Sequence, residues 1–182
     1  MEDVIIDISI IIINYNSAIL VPVDSNDYGE GVLDGVRFQE RLEHSAYIAG
    51  GSTGKAPSVR YGDLIEDRVT TEFGKVKPSF MPGVYCADLS EVFPPVILDT
   101  IKDGVRQMGR KIKGFDDPDA VLTAVEARSS SPVRLVRDPD TFQSVSVSGI
   151  YPCGEGAGYA GGITSAAIDG IKVAEAVAAY LA

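Results

Sequence analysis

The chain's most informative segment runs from Gly149 to Ala182 and reads GIYPCGEGAGYAGGITSAAIDGIKVAEAVAAYLA. Within it, residues 156–161 match G-x-G-x-x-G, the glycine pattern that opens a dinucleotide-binding βαβ unit. A complete unit continues with a second parallel strand and an acidic residue about 20 positions further on. Since only one predicted helix follows the glycines, the segment predicts a strand, a glycine turn and a helix rather than the start of such a unit.

The residues on either side of the glycines predict regular structure. Val145 and Val147 alternate with serines, which is typical of a half-buried strand. After the glycines, apolar residues recur at helical spacing, which predicts a helix with one face packed against the fold. These residues are Ala167, Ile171, Ala174, Ala178 and Leu181, and the stripe is widened by Gly170, Val173 and Val177. Asp169, Lys172 and Glu175 would lie on the opposite, polar face.

The glycine content of the turn indicates a ligand that approaches the backbone. Five of the nine residues Gly154–Gly162 are glycine, and residues without a side chain let a backbone pass close to a flat molecule. The N-terminus of the following helix would present free N–H groups and about half a positive charge, which suits an anionic group. The alternative is a tight turn whose glycines serve packing alone.

The remaining sequence predicts a mixed α+β fold. Helical patterns occupy residues 34–49 and 95–112, and Ile97, Ile101, Val105, Met108 and Ile112 share one face of the second. β-like runs occupy residues 17–24, where Pro22 favours a sheet edge, and also 120–131 and 133–138. The apolar run 4–13 is interpreted as a buried strand or as a segment without a good partner. Residues 51–86 show no sustained period, which indicates either a functional role or loose order.

Composition narrows the class of function. The hydrophobic fraction of 45% and the charged fraction of 23% are typical of a globular protein. A formal charge of -10 argues against nucleic acid and anionic membranes as partners. Two distant cysteines, Cys86 and Cys153, fit no metal spacing and predict a reducing compartment, here the cytoplasm. The single histidine, His44, is predicted to lie on a helix surface, so no metal site is expected.

The segment GGSTGKAPS, from Gly50 to Ser58, imitates a phosphate-binding loop without meeting its requirements. That loop needs four residues between the first glycine and the Gly-Lys pair, followed by Ser or Thr. Here Ala49 occupies the first glycine position, Ala56 follows Lys55, and Pro57 breaks the helix that should come next. The sequence therefore argues against binding of ATP or GTP at this segment.

The segment VEARSSSPVRLVRD carries a cluster of charges, Glu126, Arg128 and Arg134, near a Ser-Ser-Ser-Pro turn. Arginine binds carboxylate or phosphate with two parallel hydrogen bonds, so these residues are candidates for the substrate side of a pocket. The alternative is a set of solvated charges on a hairpin. A serine nucleophile is not expected, because no usable histidine is present.

Several blocks together resemble a family of bacterial FAD-dependent dehydrogenases, also described as NAD(P)/FAD-dependent oxidoreductases and largely uncharacterised. The segment Gly149–Val177 resembles the C-terminal signature of that family, and Asp117–Asp138 resembles a second block that usually contains ETRTSSPVR. NSAILVPVD, GVRFQE and GKVKPSFMPGVYCADL resemble its intervening segments in the same order. Ala127 and Ser129 stand where the family usually has threonines. Family members are longer and begin with a glycine-rich βαβ unit, which is absent from this sequence.

The resemblance implies a division of the chain and a cofactor. Residues 1–15 stay unassigned, residues 16–143 would form a substrate or cap-type domain, and residues 144–182 would complete a Rossmann-like FAD-binding domain. Glu155 would hydrogen-bond ribityl or nearby hydroxyls, and the backbone around Gly161, Gly162 and Ile163 would face the pyrimidine edge of the flavin. The implied cofactor-binding residues are Gly154, Glu155, Gly156, Ala157, Gly158, Gly161, Gly162 and Ile163.

Two functional expectations follow from the resemblance. The first is a C-terminal part of an FAD-dependent oxidoreductase, whose partners are FAD, a small-molecule substrate and the missing N-terminal FAD-binding region. The second is a non-catalytic packing or interaction module without a complete cofactor site, because the βαβ unit that holds the pyrophosphate is absent.

Overall fold

A computed structural model describes the backbone of residues 4–12 and 15–182, and the side chains from residue 17 onward. The chain forms two compact units that alternate along the sequence. Within the described residues, unit 1 comprises Val4, Val23–Val36 and Arg128–Ala182, and unit 2 comprises Ile5–Pro22 and Arg37–Ala127. The expected functional division between residues 16–143 and 144–182 stays a prediction.

Unit 2 carries most of a five-stranded mixed sheet. The strands are β1 Val4–Ile12, β2 Tyr15–Val23, β3 Ala56–Arg60, β4 Val84–Cys86 and β5 Val121–Glu126. Their order is β2-β1-β5-β3-β4, with β5 antiparallel to β1 and β3, and β3 parallel to β4. Pro22 lies in an edge strand as predicted, where its missing N–H costs least.

The helices are α1 Ser25–Tyr28, α2 Asp34–Ala49, α3 Tyr61–Ile65, α4 Pro95–Gly109 and α5 Ile163–Leu181, with a 3-10 turn at Leu89–Glu91. The 3-10 turn contacts both β3 and α4, so the almost fully buried Leu89 links sheet and helix. Val59 of β3, Leu122 of β5 and Ile101 of α4 are also buried. Burial of such side chains supplies the main driving force for folding of unit 2.

Most of the sequence-based elements are confirmed, and the fold is mixed α+β as expected. Residues 34–49 form a helix, and residues 121–126 form a strand. His44 lies exposed on α2. The run 4–13 is a strand over residues 4–12, but Ile13 and the burial of this strand lie outside the described residues. Lys55 is followed by strand β3 and not by a helix, which agrees with the rejection of a phosphate-binding loop.

Three expectations about extent were wrong, and the first is the β-like run 120–131, of which only residues 121–126 form a strand. Helix α4 ends at Gly109, so Ile112 lies beyond the helix and is exposed, and Met108 in its last turn is exposed as well. A Cβ on Gly109 would clash with the side chain of Asp116, so the chain after α4 folds back against the end of the helix. The irregular stretch is shorter than 51–86, because residues 56–65 form β3 and α3.

The strands expected over residues 133–138 and 144–151 are not formed. An isolated bridge pairs Arg137 with Ser144, and the backbone N–H of Val145 donates to the carbonyl of Val136 at 3.2 Å, but the pairing extends no further into a strand. The backbone N–H of Phe142 donates to the carbonyl of Asp138, and that of Ser144 donates to the carbonyl of Ile150. Because the N–H of Ser144 is used within its own segment, the pairing stops at this point, and the alternating Val145 and Val147 are left exposed. The predicted helix after the glycine turn is confirmed, but the prediction of a strand before that turn is wrong.

A buried hydroxyl pair offers a test of the packing between β3 and β5. The Oγ of Ser58 lies 3.0 Å from the Oγ1 of Thr123, and both residues are buried. We expect Ser58→Ala to lower the free energy of unfolding by about 1–3 kcal/mol, because the Thr123 hydroxyl loses its partner. The double variant Ser58→Ala/Thr123→Val should lose less than the sum of the single losses in urea denaturation. Simple additivity would contradict this coupling.

Candidate functional site

The glycine segment of unit 1 begins with a compact turn over residues 154–159. The N–H of Tyr159 donates to the carbonyl of Gly154 at 3.0 Å, and the N–H of Gly158 donates to that of Glu155 at 2.9 Å. Gly154 and Gly158 have φ of 69° and 79°, a region that glycine enters without strain. Both of these glycines are therefore explained by the shape of the turn itself.

The 154–159 turn lies along the segment 131–137, which belongs to the Ser-Ser-Ser-Pro block. The Oγ of Ser131 donates to the carbonyl of Gly156 at 3.2 Å, and the N–H of Leu135 donates to that of Ala157 at 3.2 Å. A Cβ added to Gly158 would lie 2.7 Å from the carbonyl oxygen of Val133. The two blocks that the sequence analysis treated separately are therefore in direct contact.

An ion pair between Arg137 and Asp169 connects the turn to α5. The guanidinium donates from Nη1 and Nη2 to the two carboxylate oxygens at 2.9 and 2.6 Å, and Nη1 also donates to the carbonyl of Pro152 at 2.7 Å. Asp169 in turn accepts the N–H of Gly154 at 2.9 Å. The side chains are only 8% and 13% exposed, so solvent screens this pair much less than a surface pair.

The aromatic ring of Tyr159 contacts the guanidinium of the same arginine. The Arg137 guanidinium lies 3.7 Å from the centre of the Tyr159 ring, and that of Arg134 lies 4.4 Å from it. The Tyr159 hydroxyl accepts the backbone N–H of Arg137 and donates to the carbonyl of Leu135. Both arginines border a cavity of about 490 Å³, whose other lining residues are Val136, Pro139, Phe142 and Tyr159.

Helix α5 begins at an open, glycine-lined surface. Gly162 is the residue before the helix, and its φ of -150° is extended backbone that any residue adopts. A Cβ on Gly156 or Gly161 would meet no described atom within 4 Å, and one on Gly162 would meet only the Oγ of Ser165 at 3.5 Å. Ile163, the first residue of α5, is 93% exposed. Neither backbone conformation nor internal packing therefore accounts for glycine at these three positions.

The packed face of α5 is one edge of the predicted apolar face, the edge that carries Gly170, Val173 and Val177, together with Asp169, which was predicted to lie on the polar face. Val173 is buried, and Ala166, Asp169, Gly170 and Val177 are half-buried on the same face. The predicted apolar stripe, Ala167, Ile171, Ala174, Ala178 and Leu181, is exposed instead. The small residues Ala166 and Gly170 leave room for Asp169 to reach Arg137, which explains why the helix turns this face inward.

The structure brings together some of the predicted site residues. Gly154, Glu155, Gly156, Ala157 and Gly158 form the turn, and Gly161, Gly162 and Ile163 follow at the helix N-terminus. Arg134 borders the cavity. Glu126 ends β5 in unit 2 and Arg128 begins the long segment of unit 1, both with exposed side chains. Their assignment to a substrate pocket stays a prediction.

Sequence reasoning missed Arg137, Tyr159 and the inward position of Asp169. A signal for Asp169 was available, because it is the one carboxylate that shares helical spacing with Ala166, Gly170 and Val173. No sequence pattern pairs it with Arg137, since 31 residues lie between them.

Both cysteines are free, and the described residues include no His/Cys/Asp/Glu cluster that could hold a metal ion. None of the described helices is both long and apolar enough to cross a membrane.

The ion pair predicts a pH dependence of stability. Hydrogen bonding to Arg137 holds the pKa of Asp169 below its usual value, so the contribution of the pair is present above about pH 4 and is lost as the pH falls through the lowered pKa. We expect Asp169→Asn to be less stable than the native chain at pH 6, and the difference to shrink steadily toward pH 2.5. Urea denaturation over this range measures it. A difference that stays constant with pH would contradict the assignment.

Two comparisons with known proteins identify what this chain is similar to. Residues 13–129 match the model of a family described as FAD-dependent protein, C-terminal domain-like. An uncharacterized protein of Clostridium beijerinckii (strain ATCC 51743 / NCIMB 8052) is 46% identical over 163 residues, which cover 89% of this chain and 30% of that protein. The chain thus spans about a third of the length of the curated relative that it matches.

Proposed function

Because this chain belongs to the FAD-dependent protein, C-terminal domain-like family, we propose that it is the C-terminal part of an FAD-dependent oxidoreductase. In this proposal it contributes the pyrimidine and ribityl side of the FAD site. The rest of the cofactor would be held by the region that the longer relative has outside the matched 30%. The matched residues 13–129 end before the glycine segment, so the assignment of that segment to the cofactor is part of the proposal.

One observation carries the proposal. Gly156, Gly161 and Gly162 lie at the open start of α5, where a Cβ would meet almost nothing within the chain. A glycine that neither the fold nor its packing requires is explained when another molecule comes close to the backbone. The flat edge of a flavin fits this surface better than a bulky group, since the residues that approach it have no side chains.

The chain's own residues would act by binding and orientation. The N–H of Gly162 donates to the Oγ of Ser165 at 3.2 Å. The first N–H groups of α5 itself, from Ile163 onward, have no backbone acceptor within the helix and lie at its positive dipole end, so they would bind the carbonyl and ring nitrogen of the pyrimidine edge. The exposed carboxylate of Glu155 would accept hydrogen bonds from ribityl hydroxyls. When bound, FAD supplies the hydride chemistry, and the protein holds and tunes it.

The substrate side of the proposal rests on Arg134. Its guanidinium borders the cavity next to the aromatic rings of Phe142 and Tyr159, a combination of positive charge and apolar walls that suits a small carboxylate or phosphate. Glu126 and Arg128 are proposed as further substrate-binding residues. The reaction would be a dehydrogenation.

A second candidate function is favoured by the outer face of α5. Ile163, Ile168, Ile171 and Leu181 are all at least half exposed along this 19-residue helix. A continuous exposed apolar face marks a surface that another protein layer covers. In this alternative, the chain is a non-catalytic module that docks to the remainder of the longer protein without completing a cofactor site.

Flavin binding separates the two candidates. The chain would be purified alone and also after co-expression with the part of the Clostridium beijerinckii protein outside the matched region. Each preparation would be measured by visible absorption and by calorimetric titration with FAD. The proposal predicts flavin absorption that needs this chain and is absent when the partner region is purified by itself. Partners that copurify but stay colourless and ignore FAD would support the docking module, and would contradict the flavoenzyme proposal.

A further inference from the structure

A largely buried ion pair, Arg137 with Asp169, helps to hold the backbone around the proposed cofactor edge. Arg137 holds the carbonyl of Pro152, and Asp169 holds the N–H of Gly154. The two side chains are joined by paired hydrogen bonds. Residues 152–154, at the start of the 154–159 turn, are therefore hydrogen-bonded at both ends to this ion pair.

The same pair fixes the helix relative to the turn. Asp169 lies in α5, less than two helical turns after its first residue, Ile163. Any displacement of the turn from the helix N-terminus would have to break the bonds to Asp169. The paired geometry needs the planar fork of arginine, because a lysine could not contact both carboxylate oxygens and the Pro152 carbonyl in parallel.

We propose that Arg137 and Asp169 are positioning residues that hold the 154–159 turn and the start of α5 in the arrangement that the cofactor edge requires. This inference rests on the proposed flavin site for its functional meaning, but the positioning itself can be measured without FAD. Neither side chain would touch the cofactor, since both are occupied by each other and by backbone groups.

The chain offers a matched control. Arg106 and Asp103 form another arginine–aspartate pair at 2.8 Å, but it lies on α4 with side chains 49% and 64% exposed. Such exposed pairs contribute little to stability. The comparison is therefore between Arg137→Lys and Asp169→Asn on one side, and Arg106→Lys and Asp103→Asn on the other.

Amide hydrogen exchange of the whole chain without FAD is the first measurement. We expect the amides of Gly154 and Tyr159 to exchange at least roughly tenfold faster in Arg137→Lys and in Asp169→Asn, because each loses a charge-assisted bond at the base of the turn. Residues 121–126 of β5 and both control variants should exchange as in the native chain. Unchanged exchange in the turn would overturn the inference, and so would equally faster exchange throughout unit 1, which would indicate general unfolding.

The second measurement is the FAD complex of the co-expressed preparation. We expect Arg137→Lys to weaken FAD binding roughly tenfold and to shift the visible absorption maximum of the bound flavin, which general loss of stability would not do. Native-like affinity and spectrum together with a loosened turn would overturn the inference. If the native preparation binds no FAD, the proposed function fails, and the exchange data still decide whether the pair positions the turn.

Discussion

Gly162→Val should weaken FAD binding by roughly a hundredfold while leaving the fold almost unchanged. The added isopropyl group would occupy the space into which the flavin edge is proposed to come. The fold tolerates them, because the φ of Gly162 is -150° and its added Cβ would meet only the Ser165 hydroxyl at 3.5 Å. The dissociation constant from flavin fluorescence, measured beside urea denaturation, gives both quantities.

The result is informative because binding and folding are expected to separate. We expect the free energy of unfolding to change by about 1 kcal/mol or less, since valine is only a poorer residue than glycine before a helix. Native-like affinity in Gly162→Val would remove this surface from the cofactor site. A variant that unfolds would mean that the open space at Gly162 is needed by the fold.

Gly158→Val should show the opposite behaviour and destabilise unit 1 by about 3 kcal/mol or more. Gly158 has a φ of 79°, which a β-branched residue adopts only under strain. Its added Cβ would also lie 2.7 Å from the Val133 carbonyl oxygen. The substitution therefore separates the glycine turn from the segment 131–137.

Urea denaturation followed by hydrogen exchange measures this loss and locates it. We expect faster exchange at Leu135 and Tyr159, which lie on the two sides of the disturbed contact, and native exchange in β5. Full stability in Gly158→Val would contradict the close contact between the two blocks. Gly158 and Gly162 lie only four residues apart. The backbone conformation and packing of the chain require glycine at position 158, whereas nothing within the described residues requires it at position 162.

The elements that could be predicted are those in which local pattern and tertiary packing agree. Helix α4 has its apolar residues at helical spacing and buries Ile97, Ile101 and Val105 as that spacing predicts. The end of α2, where glycine follows the helix, and the edge position of Pro22 were also predictable. Both depend on the strong backbone preferences of glycine and proline.

The remaining errors have a common physical cause. Serine–valine alternation at 144–147 indicates a strand only if a neighbouring strand pairs with it along its length, and here the pairing ends after one bridge because the N–H of Ser144 donates to Ile150. The face of α5 was assigned from hydrophobicity, but one ion pair between Arg137 and Asp169 determines which side turns inward. Long-range partners decided both outcomes, and periodicity within a short segment carries no information about them.

The alternation of the two units along the chain has a consequence for synthesis on the ribosome. Unit 2 is complete once Ala127 has been made, so it can begin to fold while translation continues. Residues 23–36 belong to unit 1 and pack close to Pro132 through Gly35. This early segment therefore lacks its final neighbours until residues 128–182 have been synthesised. Premature termination after Ala127 would leave a folded unit 2 with an unpaired loop, a natural target for cellular proteases.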